Sequence, residues 1–101
     1  MARAKNLSTE HCFETIEGIN KTWYDDFFEN TENATYHKNI ERFLRIKIFN
    51  HKPFNLFEAS DIIEFYDILE KLDSALTTRN NYISAITAFK EYLSEKYKSD
   101  F

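Results

Sequence analysis

The residues able to carry chemistry are few, and most of them stand apart. Nucleophilic catalysis needs a base beside the nucleophile and a third group to orient that base. The sequence has no Gly-x-Ser-x-Gly turn, and with one glycine it has no loop to cradle a phosphate. His11 and Cys12 are neighbours, but His37 and His51 lie far from them, and no Cys-x-x-Cys or His-Glu-x-x-His spacing occurs. Asp25 and Asp26 are adjacent, and adjacent helical residues diverge by about 100°, so they read as a solvated face rather than an acid/base pair. The expectation is a chain with no catalytic residue, no metal site and no cofactor.

Two groups of side chains suit a different task. Lys38, Arg42 and Arg45 recur at helical spacing, with only Glu41 as an acidic partner within the same stretch. Such a cationic stripe fits phosphates, because Lys and Arg release the counterions condensed on a polyanion. Its plain alternative is a solvated helix face. The second group opens the stretch "TTRNNYISAITAFKEYL", residues 77–93. Thr78, Arg79, Asn80 and Asn81, followed by Ser84 and Thr87, are short hydroxyl and amide side chains plus one planar guanidinium. They both donate and accept hydrogen bonds.

Four helical segments are expected to position these groups. The first runs from about Thr9 to Glu29, with Phe13, Ile16, Trp23 and Phe27 on its apolar side and Gly18 inside it, a weakening of up to ~1 kcal/mol relative to Ala. The turn "NTEN" at 30–33 follows. The second covers Ala34 to Phe49, with Tyr36, Ile40, Phe43 and Leu44 on one face and the basic stripe opposite; Pro53 lies in the loop that ends it. The third occupies Glu58 to Leu72, with Ile62, Phe65, Tyr66 and Leu69 inward and Asp61, Glu64, Asp67 and Glu70 covering much of the remainder. Asn55 with Glu58, or Ser60, caps it. The fourth begins at Thr77 or Thr78 as N-cap and reaches about residue 97, burying Tyr82, Ile86, Phe89 and Leu93, with Ala85 permitting close approach. The fold class is therefore all-α, a compact four-helix bundle in a single domain over 1–101.

Composition agrees. The 101 residues are 43% hydrophobic and 17% aromatic, enough for a core, while Gly and Pro occur once each, too few for the turns of a sheet protein. Most of the ten Phe and six Tyr fall at core spacing, so an aromatic platform for single-stranded nucleic acid is not expected, and Trp23 reads as a core anchor. A lone cysteine excludes an internal disulfide framework. No apolar run approaches the ~18 residues of a membrane span, and the start "MARAKNLSTEH" lacks the apolar stretch of a signal peptide; a cytoplasmic protein without a membrane partner is expected. The net charge of −4 conceals a segregated pattern. Residues 1–35 carry −4, residues 36–54 carry +4, residues 55–76 carry −5 and residues 77–101 carry +1.

The last segment resembles the closing helix of the core-binding domain of phage-type integrases, the tyrosine recombinases. Thr78, Tyr82, Ile83, Ser84, Ala85, Ile86, Phe89, Tyr92 and Leu93 match its pattern in order. "YHKNIERFLRI" is similar to the family's second helix, through Tyr36, Ile40 and Phe43, and "LFEASDIIEFYDIL" to its third, through Asp61, Ile62, Phe65, Tyr66 and Leu69. The resemblance spans about residues 10–97. It departs where the family often has Thr before the second and third helices, for Glu32 and Glu58 stand there. No His-x-x-Arg element occurs, so the family's catalytic roles transfer to no residue.

The resemblance implies a SAM-like helical domain whose second and fourth helices lie against double-stranded DNA as half of a clamp. A separate catalytic domain, absent from this chain, would do the cleavage. Lys38, Arg42, Arg45, Thr78, Arg79, Asn80 and Asn81 would be the DNA-binding residues. The implied partners are duplex attachment-site DNA and neighbouring recombinase protomers, with the isolated domain monomeric. The alternative is a helical protein-interaction domain with no nucleic-acid role, its acidic third helix docking a basic partner.

Overall fold

A computed structural model describes residues 13–72 and 74–101. They form α1 (Gly18–Asn30), α2 (Ala34–Arg45), α3 (Lys47–Asn50), a 3₁₀ turn (Phe54–Leu56), α4 (Ala59–Lys71) and α5 (Leu76–Lys96). The all-helical class expected from composition holds among the described residues.

The helix starts depend on caps. Asn33 accepts a hydrogen bond from the Tyr36 N–H and starts α2 at the residue expected. Glu58 and Asp61 form a reciprocal capping box at α4, so neither Asn55 nor Ser60 is the N-cap: Glu58 itself takes that place, with Asp61 three residues on. At α5 neither Thr77 nor Thr78 is the N-cap. Ser74 returns both its N–H and its hydroxyl to the Leu69 carbonyl, closing α4, and α5 begins at Leu76 with Ala75 before it.

Two expected helices are shorter than their apolar spacing suggests. Residues 13–17 are not helical, and the part of the expected first helix at 9–12 lies outside the described residues. Gly18 has φ +65°, a left-handed conformation that cannot continue a right-handed helix upstream. The preceding segment bonds elsewhere: the Glu14 N–H donates to the Arg45 carbonyl at 2.8 Å, and the Asn50 amide donates to the Thr15 carbonyl at 2.9 Å. The second helix, expected to reach Phe49, breaks at Ile46, which adopts φ −67° and ψ 128°. Asn50 is buried there, and its Nδ2 also donates to the Leu44 carbonyl at 3.3 Å. The carbonyls freed by the break are thus satisfied by tertiary donors.

The most extensive helix–helix interface joins α2 to α5, and α1 packs on both. Phe43 is fully buried, with the rings of Phe49, Phe57 and Phe65 at 5.2, 5.4 and 4.8 Å. Phe65 passes the contact to Tyr82 at 5.4 Å, linking α2, α4 and α5. On the other side Phe27 meets Phe89 and Tyr92, and Trp23 meets Tyr97 and Phe101. Trp23 is therefore a core anchor, as its spacing predicts. Asn20, also buried, donates to the Lys52 carbonyl and accepts from the Phe54 N–H, fixing the Pro53 loop against α1.

Candidate nucleic-acid interface

The face of α2 opposite Ile40, Phe43 and Leu44 presents Lys38 and Arg42 to solvent, one turn apart. Neither makes an ion pair or a side-chain hydrogen bond among the described residues. The acidic residue nearest in sequence is engaged elsewhere. Glu41 pairs with Arg45, Oε1 to Nη1 at 3.6 Å. Burial, and then the nearby Glu41 carboxylate, push the Tyr24 hydroxyl up to about 12, so it stays protonated at every ordinary pH.

Arg45, the third member of the stripe, is held differently. Its Nε donates to the Glu14 carbonyl at 3.2 Å, and its guanidinium lies 5.2 Å from the Phe13 ring centroid. It joins the end of α2 to the segment before α1. Lys47, just beyond the break, is exposed. It was outside the periodic triple because the break at Ile46 has no Gly or Pro to announce it, although it contributes to the +4 of residues 36–54.

On α5, Thr78, Asn80 and Asn81 are exposed, as are Thr77, Ser84 and Thr87. No side chain caps this helix and its first turn has no acidic residue, so its leading N–H groups and positive dipole end favour an anion. Arg79 turns the other way. Its side chain is 18% exposed, pairs with Glu70 at 3.3 Å and lies 5.5 Å from the Tyr66 ring centroid, and its Nε is buried without a hydrogen-bond partner. Arg79 fastens α5 to α4, and it reaches a phosphate only by leaving Glu70.

The seven expected residues thus divide. Lys38, Arg42, Thr78, Asn80 and Asn81 are solvent-facing on two helices that pack on each other. Arg45 and Arg79 are anchored to different neighbours, the segment before α1 and α4 respectively. Glu64, Asp67 and Glu70 are exposed on α4, while the acidic residues of α5, Glu91 and Glu95, lie in its second half, away from Thr78, Asn80 and Asn81. Asp26 of α1 accepts from Tyr92 at 2.8 Å, from Lys96 at 2.7 Å and from Tyr97. Burial alone would raise the Asp26 carboxyl, but the hydrogen bonds from Lys96, Tyr97 and Tyr92 outweigh it and hold the group at about 2.

Among the described residues no cluster of His, Cys, Asp and Glu has the makings of a metal site. No helix among them is long and apolar enough to cross a membrane. No protein-family model, curated protein or solved structure matches the chain.

Proposed function

We propose that the chain is a duplex-DNA-binding module of the kind found in phage-type integrases, a SAM-like four-helix core-binding domain gripping one side of attachment-site DNA. Strand cleavage and exchange would fall to a separate catalytic domain, and neighbouring protomers would share the DNA. The observation that carries the reading is the exposed pair Lys38 and Arg42 on α2, which has no carboxylate partner among the described residues, with Glu41 paired to Arg45 instead. Lys and Arg left without carboxylate partners gain most from phosphate, since nothing must be displaced but counterions. The uncapped start of α5, with Thr78, Asn80 and Asn81 exposed on the direct packing partner of α2, adds anion-binding N–H groups and amides able to meet base edges.

This assignment predicts weak, salt-sensitive binding. The net charge is −4, and half a clamp makes few contacts. With two or three phosphates neutralised, the slope of log K against log salt is about −2 to −3, and affinity for mixed-sequence duplex lies in or above the ~10⁻⁴–10⁻⁶ M range of non-specific binding. Fluorescence anisotropy across a salt series measures both. A slope of zero removes the phosphate contacts and the proposal with them.

A further inference from the structure

We infer that Glu70 is a built-in brake on DNA binding: its carboxylate holds the Arg79 guanidinium that a backbone phosphate would otherwise take. The brake acts on the DNA site proposed above and presupposes it.

Arg79 is the fourth residue of α5, between the exposed Thr78 and Asn80. A cation there stands at the positive end of the helix dipole, and the first turn has no acidic residue and no side-chain cap to offset it. The guanidinium is docked on α4 instead. It lies 5.5 Å from the Tyr66 ring centroid, and its Nη1 meets Glu70 Oε2 at 3.3 Å.

That dock is poorly made. Charge-assisted bonds from guanidinium to carboxylate are usually ~2.7–2.9 Å long and often run in parallel pairs. Here one longer bond forms. The Glu70 side chain is 64% exposed, so water screens the pair. Arg79 Nε is buried without a hydrogen-bond partner among the described residues, whereas buried donors are almost always satisfied. A phosphate at the start of α5 corrects each defect. Its oxygens accept from Nε and an Nη together. Its charge also meets the free N–H groups of the helix start, which then no longer repels the guanidinium.

Glu70 thereby differs from its neighbours. Glu64 and Asp67 are exposed on the same helix and form no ion pair among the described residues. They oppose a duplex only as screened charges, while Glu70 also withholds a cation from it.

The test is fluorescence anisotropy of the full chain on mixed-sequence duplex across a salt series. It compares wild type, Glu70→Gln, Glu64→Gln and the double variant Glu70→Gln, Arg79→Ala. Each glutamine removes one negative charge from an exposed position of α4. Glu70→Gln should tighten binding about fivefold at low salt and steepen the slope of log K against log salt by about 1, the mark of one more phosphate contact. Glu64→Gln should gain less than about twofold with its slope unchanged, as a screened charge does. Adding Arg79→Ala should cancel the gain of Glu70→Gln. In ¹⁵N spectra the Arg79 Nε–H signal of Glu70→Gln should shift on addition of the duplex. The brake is refuted, with DNA binding intact, if wild type shows a salt slope but Glu70→Gln binds no more tightly than Glu64→Gln, or if its gain survives Arg79→Ala. A slope of zero in all four proteins overturns the DNA reading and the brake with it.

Discussion

At the scale of single residues, exposure alone does not make a cation a ligand contact. Arg42 and Arg45 lie three positions apart on one helix, yet Arg42 faces solvent and Arg45 is held by Glu41, the Glu14 carbonyl and the Phe13 ring. Arg42→Ala should therefore weaken DNA binding to a similar degree on every sequence and make the salt slope shallower by about 1; unchanged affinity and slope would mark Arg42 as merely solvated. Asp26 gives a prediction about stability. Its carboxyl is held at about 2, against an ordinary value of 3.8. A depressed value means that the stabilisation is fully present above the unfolded-state value and is lost as pH falls from there toward 2. Urea unfolding across pH should show that loss. Asp26→Asn should lower stability by about 1–2 kcal/mol at neutral pH, a figure already discounted for partial solvent access, and should make the decline below pH ~4 shallower.

At the scale of elements, local signals and tertiary bonds divided the work. The capping turn at 30–33 made the start of α2 legible, since Asn33 acts within one turn of itself, whereas at α4 the cap is Glu58 with Asp61 rather than Asn55 or Ser60. Gly18 was visible as a weak point, but its left-handed φ, and hence its place at a helix start, depends on the upstream segment being tied to α2 and Asn50. The break at Ile46 has no local breaker. The carbonyls it frees find other donors: the Glu14 N–H, distant in sequence, takes Arg45, and the Asn50 amide takes Leu44. Asn50→Ala removes the donor from the buried Leu44 carbonyl and from the part-buried bond to the Thr15 carbonyl, and should cost about 1–3 kcal/mol in chemical denaturation. A loss below a few tenths would mean that the break stands without it.

At the scale of the whole molecule, the alternating charge of the sequence becomes a separation of surfaces. Lys38, Arg42 and Lys47 are exposed on α2 and α3, and Glu64, Asp67 and Glu70 on α4. Charge counts along the chain anticipated that division because residues 36–54 became α2 and α3 while residues 55–76 supplied α4. They could not show that Arg79 would turn toward Tyr66 and Glu70, since that contact joins residues nine or more positions apart through packing. The candidate site was thus readable as to which helices carry it, and less so as to which of their cations remain available.

The central claim is that α2 and the start of α5 meet duplex DNA. Titration of the ¹⁵N-labelled full chain with a mixed-sequence duplex two helical turns long, at low salt, tests it residue by residue. The account predicts amide shifts concentrated at Lys38, Arg42, Thr78, Asn80 and Asn81, fading as salt is raised. Shifts confined to α1 and α4, or none at all, would contradict it.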